Sequence, residues 1–166
     1  MNATDAEIAR LVGRIAEALA ACSARIAVAE SCTGGWISKV LTDLPGSSAW
    51  FGYGFVTYAN ESKLELLEVS PDSVAAHGAV SQDVAEQMAT GARLKSGAEI
   101  AVAVTGIAGP DGGTREKPVG TVWMAWAGPG VQLRSRVFLF TGDRDAVRRQ
   151  AVQTVLEGVL KQLTGT

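Results

Sequence analysis

Apolar positions recur along this chain in two rhythms. Ile8, Leu11, Val12, Ile15 and Leu19 fall at helical spacing, and Thr4 with Glu7 forms the S/T-x-x-E pattern in which two orphan backbone N–H groups are satisfied reciprocally. An amphipathic helix is predicted to open the chain. Residues 25–30, RIAVAE, form a short apolar run suited to a buried strand; the SCTGG turn at 31–35 follows it, and then WISKVL at 36–41, helical in composition. The aromatic and β-branched stretch WFGYGFVTY at 50–58 predicts a second strand. Asn60 is placed to cap the helix that carries Lys63, Leu64 and Leu67. Ser70 before Pro71 is a helix start, because the N–H that Pro lacks would be unpaired there anyway.

Ser81 caps the next expected helix, which runs to about Lys95, and EIAVAVT at 99–105 reads as a third buried strand. Residues 106–118 form a long loop holding four Gly and two Pro, and loops of that length in a compact fold are usually functional or disordered. Residues 119–126 and 132–140 predict a hairpin about AGPG at 127–130. Val152, Val155, Leu156, Val159, Leu160 and Leu163 give the stripe of a closing helix. Early strands separated by helices imply parallel neighbours, and the hairpin adds antiparallel pairing. The expectation is an α/β protein: a three-layer α/β/α sandwich with a mixed, mostly parallel five-stranded sheet, formed as one domain over residues 1–166.

Composition narrows the functions open to such a fold. Fifteen basic residues against 17 acidic leave a net charge of −2, without the basic stripe of a phosphate-backbone binder, so nucleic acid is not an expected partner. The apolar runs are too short for a membrane span and the N-terminus lacks a signal pattern, so a cytoplasmic protein without an anchor is expected. One His and two Cys, Cys22 and Cys32, do not supply a zinc set, and no metal is expected; Cys22 reads as a packed free thiol. The unusual feature of the composition is its 19 Gly. They cluster at Gly34–Gly35, at Gly52 and Gly54, and at Gly106, Gly109, Gly112 and Gly113, so that the first and third clusters fall beyond strand ends, where open α/β sheets bind ligands.

Three candidate nucleophiles, Ser31, Cys32 and Thr33, stand at the first of these strand ends. Gly34 and Gly35 let a ligand approach the backbone and leave N–H groups at a helix N-terminus, the layout of a nucleophile beside an oxyanion hole; the plainer reading is a strand-to-helix turn whose hydroxyl caps the helix. Nothing in the sequence brings the lone His77 to Ser31, so the remaining base type is Lys, effective when burial lowers its pKa. Lys63 follows the second strand closely enough to reach the same sheet edge, although a helix Lys is most often solvated. The loop TGIAGPDGG at 105–113 matches neither a P-loop nor a dinucleotide fingerprint, which leaves an anion nest or a flexible crossover. Arg144, in the first turn of the last helix, is either incidental surface charge or a phosphate clamp.

Six segments, in order, then carry a resemblance: AESCTGG at 29–35, GFVTYANESK at 54–63, GAVS at 78–81, TGIAGPDGG at 105–113, KPVG at 117–120 and GDR at 142–144. From about residue 5 to residue 163 the chain resembles the CinA C-terminal-domain family, in particular its stand-alone nicotinamide-nucleotide amidases. The resemblance implies an α/β/α domain that hydrolyses the carboxamide of nicotinamide mononucleotide to nicotinic acid mononucleotide and ammonia, without a cofactor. It implies Ser31 as nucleophile, Lys63 and Tyr58 as its activating partners, and Thr105 on the polar side of the pocket. Cys32, Thr33, Gly34, Gly35, Asn60, Gly106, Ile107, Gly109, Gly112 and Arg144 would bind substrate, the N–H groups near Thr33 to Gly35 holding the oxyanion and the 106–113 loop with Arg144 taking the phosphate. Departures are small: Gly52-Tyr53-Gly54 and Ala49-Trp50 stand where other residues are expected. Two alternatives stay open, a thiol amidase using Cys32 and a non-catalytic nucleotide-binding module. A homo-oligomer is expected, with Trp36, Trp50, Trp123 and Trp126 available to an interface.

Overall fold

A computed structural model describes residues 4–129 and 131–165 of the protein. In chain order the elements are α1 (Asp5–Ala21), β1 (Ile26–Glu30), α2 (Trp36–Thr42), β2 (Phe51–Val56), α3 (Asn60–Leu67), α4 (Pro71–His77), α5 (Gln82–Ser96), β3 (Ile100–Gly106), β4 (Thr121–Gly128), β5 (Val131–Leu139) and α6 (Arg144–Thr164). The strands form one sheet in the order β2-β1-β3-β4-β5. β1 pairs parallel with β2 and β3, whereas β4 pairs antiparallel with β3 and β5, so four of the five strands run one way and β4 is reversed. Helices cover both faces, as the alternation of elements predicts.

The sequence signals for the helix starts are realised unevenly. Thr4 and Glu7 close the capping box of α1, and Ser81 accepts from the Val84 N–H at the start of α5. Asn60 does not cap α3: it is the helix's first residue, and the N-cap is Ala59, which offers no side-chain acceptor. A short 3-10 turn at Ser47–Ala49 occupies the LPGSS stretch, and Gly130 of the predicted hairpin turn lies outside the described residues. No helix among the described residues is long and apolar enough to cross a membrane.

The two sheet faces differ in side-chain size, and this sets how close each helix layer sits. Ile26 and Val28, Ile100, Val102 and Val104, and Val122, Met124 and Trp126 pack against α1, α2 and α6. Ala27 and Ala29, Ala101 and Ala103, and Ala125 and Ala127 face α5 through its own small residues Ala85, Ala89 and Ala92. Strands apolar on both faces have no polar alternation to read, and size alternation replaces it. Trp50 and Trp126 are buried and Trp36 and Trp123 half-buried, so the aromatic surface expected of the tryptophans is instead carried by Tyr53 and Tyr58, both about half exposed.

Gly91 of α5 sits where the Leu67 carbonyl of α3 closes on the helix, and a Cβ there would overlap backbone. A helical Gly→Ala change ordinarily gains about 0.5–1 kcal/mol. Gly91→Ala is expected to reverse that sign and cost about 1–3 kcal/mol, because a carbonyl is not a side chain that can swing aside. Urea midpoints check it; an unchanged or raised midpoint would show that α3 and α5 can separate freely.

Candidate active site

Register brings the site together. Glu30 at the end of β1 stands beside Val56 of β2 and Val104 of β3, so Ser31 and Thr57-Tyr58, which follow β1 and β2, and Thr105-Gly106, which close β3, emerge at one edge of the sheet. The Ser31 N–H continues the ladder to the Val104 carbonyl at 3.0 Å. Ser31, Tyr58, Thr105 and Gly106 line a cleft of about 280 Å³ together with Cys32, Asn60, Lys63, Ala79 and Val80, the loop residues Ile107, Ala108, Gly109, Asp111 and Gly112, and Arg144. Three of the expected substrate-binding residues, Thr33, Gly34 and Gly35, are not on its wall.

Lys63 is 1% exposed and shares the inward face of α3 with Leu67, one turn on. Its Nζ lies 3.1 Å from Ser31 Oγ, 2.7 Å from the Thr57 carbonyl and 3.1 Å from the Tyr58 carbonyl. A neutral amine has two hydrogens and one lone pair. Two carbonyls take the hydrogens, which leaves the lone pair for the Ser31 hydroxyl proton. Burial pushes the Lys63 pKa below its ordinary 10.5; negative charge at Cys32 or Glu61 would oppose this, but the Cys32 thiol is itself pushed up to about 12 by burial and stays neutral. Desolvation therefore decides the direction.

Tyr58 reaches this pair through its carbonyl. Its hydroxyl points elsewhere and accepts from Arg144 Nη2 at 3.0 Å, so the phenol is no relay between Ser31 and Lys63, contrary to the expected activating role. Arg144 also donates through Nη1 to the Gly109 carbonyl at 2.7 Å, spanning the cleft mouth from the β2–α3 connection to the glycine loop. Thr105, 1% exposed, donates to the Ala79 carbonyl at 2.9 Å and so ties the α4–α5 connection to the cleft wall. His77 lies outside this wall, with its Nε2 3.2 Å from Asp83.

The turn after Ser31 is organised by a carboxylate that the sequence reading passed over. Glu30 is fully buried, and its two oxygens accept from the N–H groups of Gly35 (3.0 Å), Ile37 (3.0 Å) and Ser38 (2.8 Å) and from the Ser38 hydroxyl (2.7 Å). The Gly34 N–H goes to the Ser31 carbonyl at 3.0 Å. The Gly34 and Gly35 N–H groups are thus already bonded and cannot hold an oxyanion as expected. Among the described residues, the N–H groups of Cys32 and Thr33 donate to no carbonyl or carboxylate, and that of Cys32 lies against its own thiol. Gly34 and Gly35 are needed for their backbone, at φ +59° and +96°. Gly106 and Gly109 are needed for room against Val122 and Val119 of the chain itself, rather than for a ligand. Glu30 was legible as an ionisable residue closing an apolar strand directly before a nucleophile turn.

Cys22 is exposed rather than packed, at the C-cap of α1, and Cys32 is 5% exposed within the large-residue core.

Fold and site together define a three-layer α/β protein with an amine-backed hydroxyl at the ends of its parallel strands. The chain belongs to the CinA C-terminal domain family, whose model matches residues 8–163. It is 51% identical over 162 residues to the nicotinamide-nucleotide amidohydrolase PncC of Escherichia coli K12, covering 96% of each chain. It is also 51% identical over 154 residues to the protein of that name from Pseudomonas putida, covering 93% of this chain and 96% of that one. The crystal structure of the competence/damage inducible protein CihA from Agrobacterium tumefaciens superposes with a TM-score of 0.92 at 41% identity, over 99% of this chain and 98% of that one.

Two outcomes follow from the geometry. Because the Lys63 pKa is lower folded than unfolded, the folded protein loses its proton first as pH rises toward 10.5, so the Lys63 contribution to stability increases over that window and falls as pH drops back. Relative to Lys63→Met, the wild type should therefore gain unfolding free energy between pH 7 and pH 10, read from urea curves; a constant difference excludes a perturbed Lys63. Iodoacetamide at pH 8 should label Cys22 and spare Cys32 in the folded protein, and labelling of both would show that the cleft thiol is reactive.

Proposed function

We propose that this protein hydrolyses the carboxamide of nicotinamide mononucleotide, producing nicotinic acid mononucleotide and ammonia. The observation that carries the reading is the Lys63 amine, stripped of water and held 3.1 Å from Ser31 Oγ; relatives named for this reaction support the choice of substrate.

Neutral Lys63 takes the Ser31 proton as Oγ attacks the amide carbon, and the carbonyl π pair moves to oxygen. The N–H of Cys32, the turn residue on the cleft wall, receives that charge. As the carbonyl re-forms, the C–N bond breaks and the Lys63 proton passes to the leaving nitrogen, releasing ammonia. Water then adds to the acyl-Ser31 ester with its proton going to Lys63, and collapse returns that proton to Ser31 Oγ. The pyridinium charge of the substrate makes the carboxamide more electrophilic, and it also opposes protonation of a nearby amine, which keeps Lys63 a base. Tyr58 holds Lys63 with its carbonyl and steadies Arg144 with its phenol. Arg144 meets the phosphate at the mouth beside the glycine loop, where Gly106, Ile107, Gly109 and Gly112 form one side and Asn60 the other. Thr105 keeps the wall at Ala79 in place.

An ammonia-release assay tests the reading. Ser31→Ala and Lys63→Arg should each lose at least about 10²-fold in kcat, whereas Cys32→Ala keeps activity within about threefold. Loss in the Cys32 variant alone would transfer the nucleophile to the thiol, and wild-type protein that binds the nucleotide without turnover would make it a binding module. Arg144→Ala should lower kcat/KM about 10–100-fold for the mononucleotide and leave the riboside unaffected, which is the loss expected for hydrogen bonds to a charged group.

A further inference from the structure

Arg148 lies 117 positions after Ser31, in the second turn of α6, and is not on the cleft wall. Its Nε donates to the Cys32 carbonyl at 3.1 Å and its Nη2 donates to the Thr33 carbonyl at 2.9 Å. The guanidinium also lies 5.3 Å from the centre of the Trp36 ring, which fixes its plane from the α2 side. A Cβ on Gly34 would lie 3.4 Å from Nη2, in ordinary contact, so this side chain packs directly on the turn.

In a trans peptide the C=O and N–H groups point in opposite directions, and the cis bond in the described residues is Gly109–Pro110, not one in this turn. Holding the Cys32 carbonyl toward α6 therefore turns the Thr33 N–H away from α6. The next peptide obeys the same rule: its Thr33 carbonyl is held by Arg148 and by the Trp36 N–H at 3.1 Å, and its Gly34 N–H faces back to the Ser31 carbonyl. The Ser31 carbonyl, thus engaged, fixes the Cys32 N–H on its opposite side. Glu30 acts from the other polarity, taking the N–H groups of Gly35, Ile37 and Ser38. Two charged side chains of opposite sign thus hold the turn, Glu30 by its N–H groups and Arg148 by its carbonyls, and neither takes the Cys32 N–H. Without Arg148 the Cys32 carbonyl has no partner among the described residues, and the Thr33 carbonyl, ahead of Gly34 at φ +59°, keeps only the Trp36 N–H.

We infer that Arg148 is a positioning residue for catalysis: by holding the Cys32 and Thr33 carbonyls it fixes the turn that presents the Cys32 N–H beside Ser31, where the oxyanion forms. The inference rests on the reading of Ser31 as nucleophile. A guanidinium suits the task because its planar fork reaches two successive carbonyls at once, and a lysine ammonium on a shorter, rounder head does not.

The test compares wild type, Arg148→Met and Arg148→Lys in steady-state ammonia release from nicotinamide mononucleotide. It adds inhibition by the analogue in which an aldehyde replaces the carboxamide, a group that Ser31 converts to a tetrahedral adduct. Arg148→Met should lose about 10²-fold in kcat, the scale of one lost oxyanion donor, with KM within about threefold and an unshifted pH profile, because Lys63 and the binding wall are untouched. Aldehyde affinity should fall by the same factor as kcat, and Arg148→Lys should lie between. A variant with a lowered Tm but unchanged kcat overturns the inference, as does a KM rise at constant kcat. Should Arg148→Met fail to fold, the same comparison in Arg148→Lys decides. Wild-type protein that releases no ammonia defeats the proposed reaction itself and is distinguishable from either result.

Discussion

Everything at the active edge depends on one amine kept out of water. Lys63 is a cation by default, and holding it beside Ser31 requires that α3 return over the sheet edge, that Leu67 anchor the same helix face, and that the carbonyls of Thr57 and Tyr58 replace lost hydration. Those carbonyls lie just beyond β2, so the parallel pairing of β2 with β1 is what delivers them to the residue after Glu30. Removing water lowers the cost of neutrality and raises the cost of charge, and the same burial that shifts Lys63 down shifts the adjacent Cys32 up. One environment thus opposes charge on the amine and on the thiol alike.

A second constraint concerns the backbone rather than side-chain acidity. The five-residue turn after β1 is short of room, has two consecutive residues at positive φ, and would have several competing arrangements if left alone. Glu30 and Arg148 remove that freedom, one from inside the turn and one from a helix far along the chain. A buried carboxylate needs its lone pairs satisfied, and Glu30 has four donors; the half-buried guanidinium of Arg148 is held by two carbonyls and an aromatic face. The cleft is then assembled from rigid supports, with α5 seated closely on an alanine face and the large residues gathered on the other side.

Much of this was legible in the sequence. The helix starts at Thr4, Ser70 and Ser81 carry their own local signals, and the apolar runs IAVAE and EIAVAVT are too short and too β-branched to be amphipathic helices. Ser31 and Lys63 could be paired because only a lysine was left to serve as base once His77 was set aside. What could not be read were contacts that depend on direction: that the Tyr58 phenol turns to Arg144 while its carbonyl turns to Lys63, and that the N–H groups of Gly34 and Gly35 were already committed. Glycines beside a strand end suggested space for a ligand, yet Gly106 and Gly109 are small to admit Val122 and Val119.

By itself, then, the sequence determined the order and type of the elements, the two-sided burial of the strands and the residue types available for chemistry, because these follow from local propensity and periodicity. Tertiary structure decided which of those residues meet and which way they point. The register of β1 between β2 and β3 placed Ser31 and Lys63 at one edge, and α6 brought Arg144 to Tyr58 and Gly109 and Arg148 to a turn more than a hundred residues away. A pKa set by desolvation and a peptide plane set by a distant guanidinium are properties of an enclosure. No stretch of chain has them before it is enclosed.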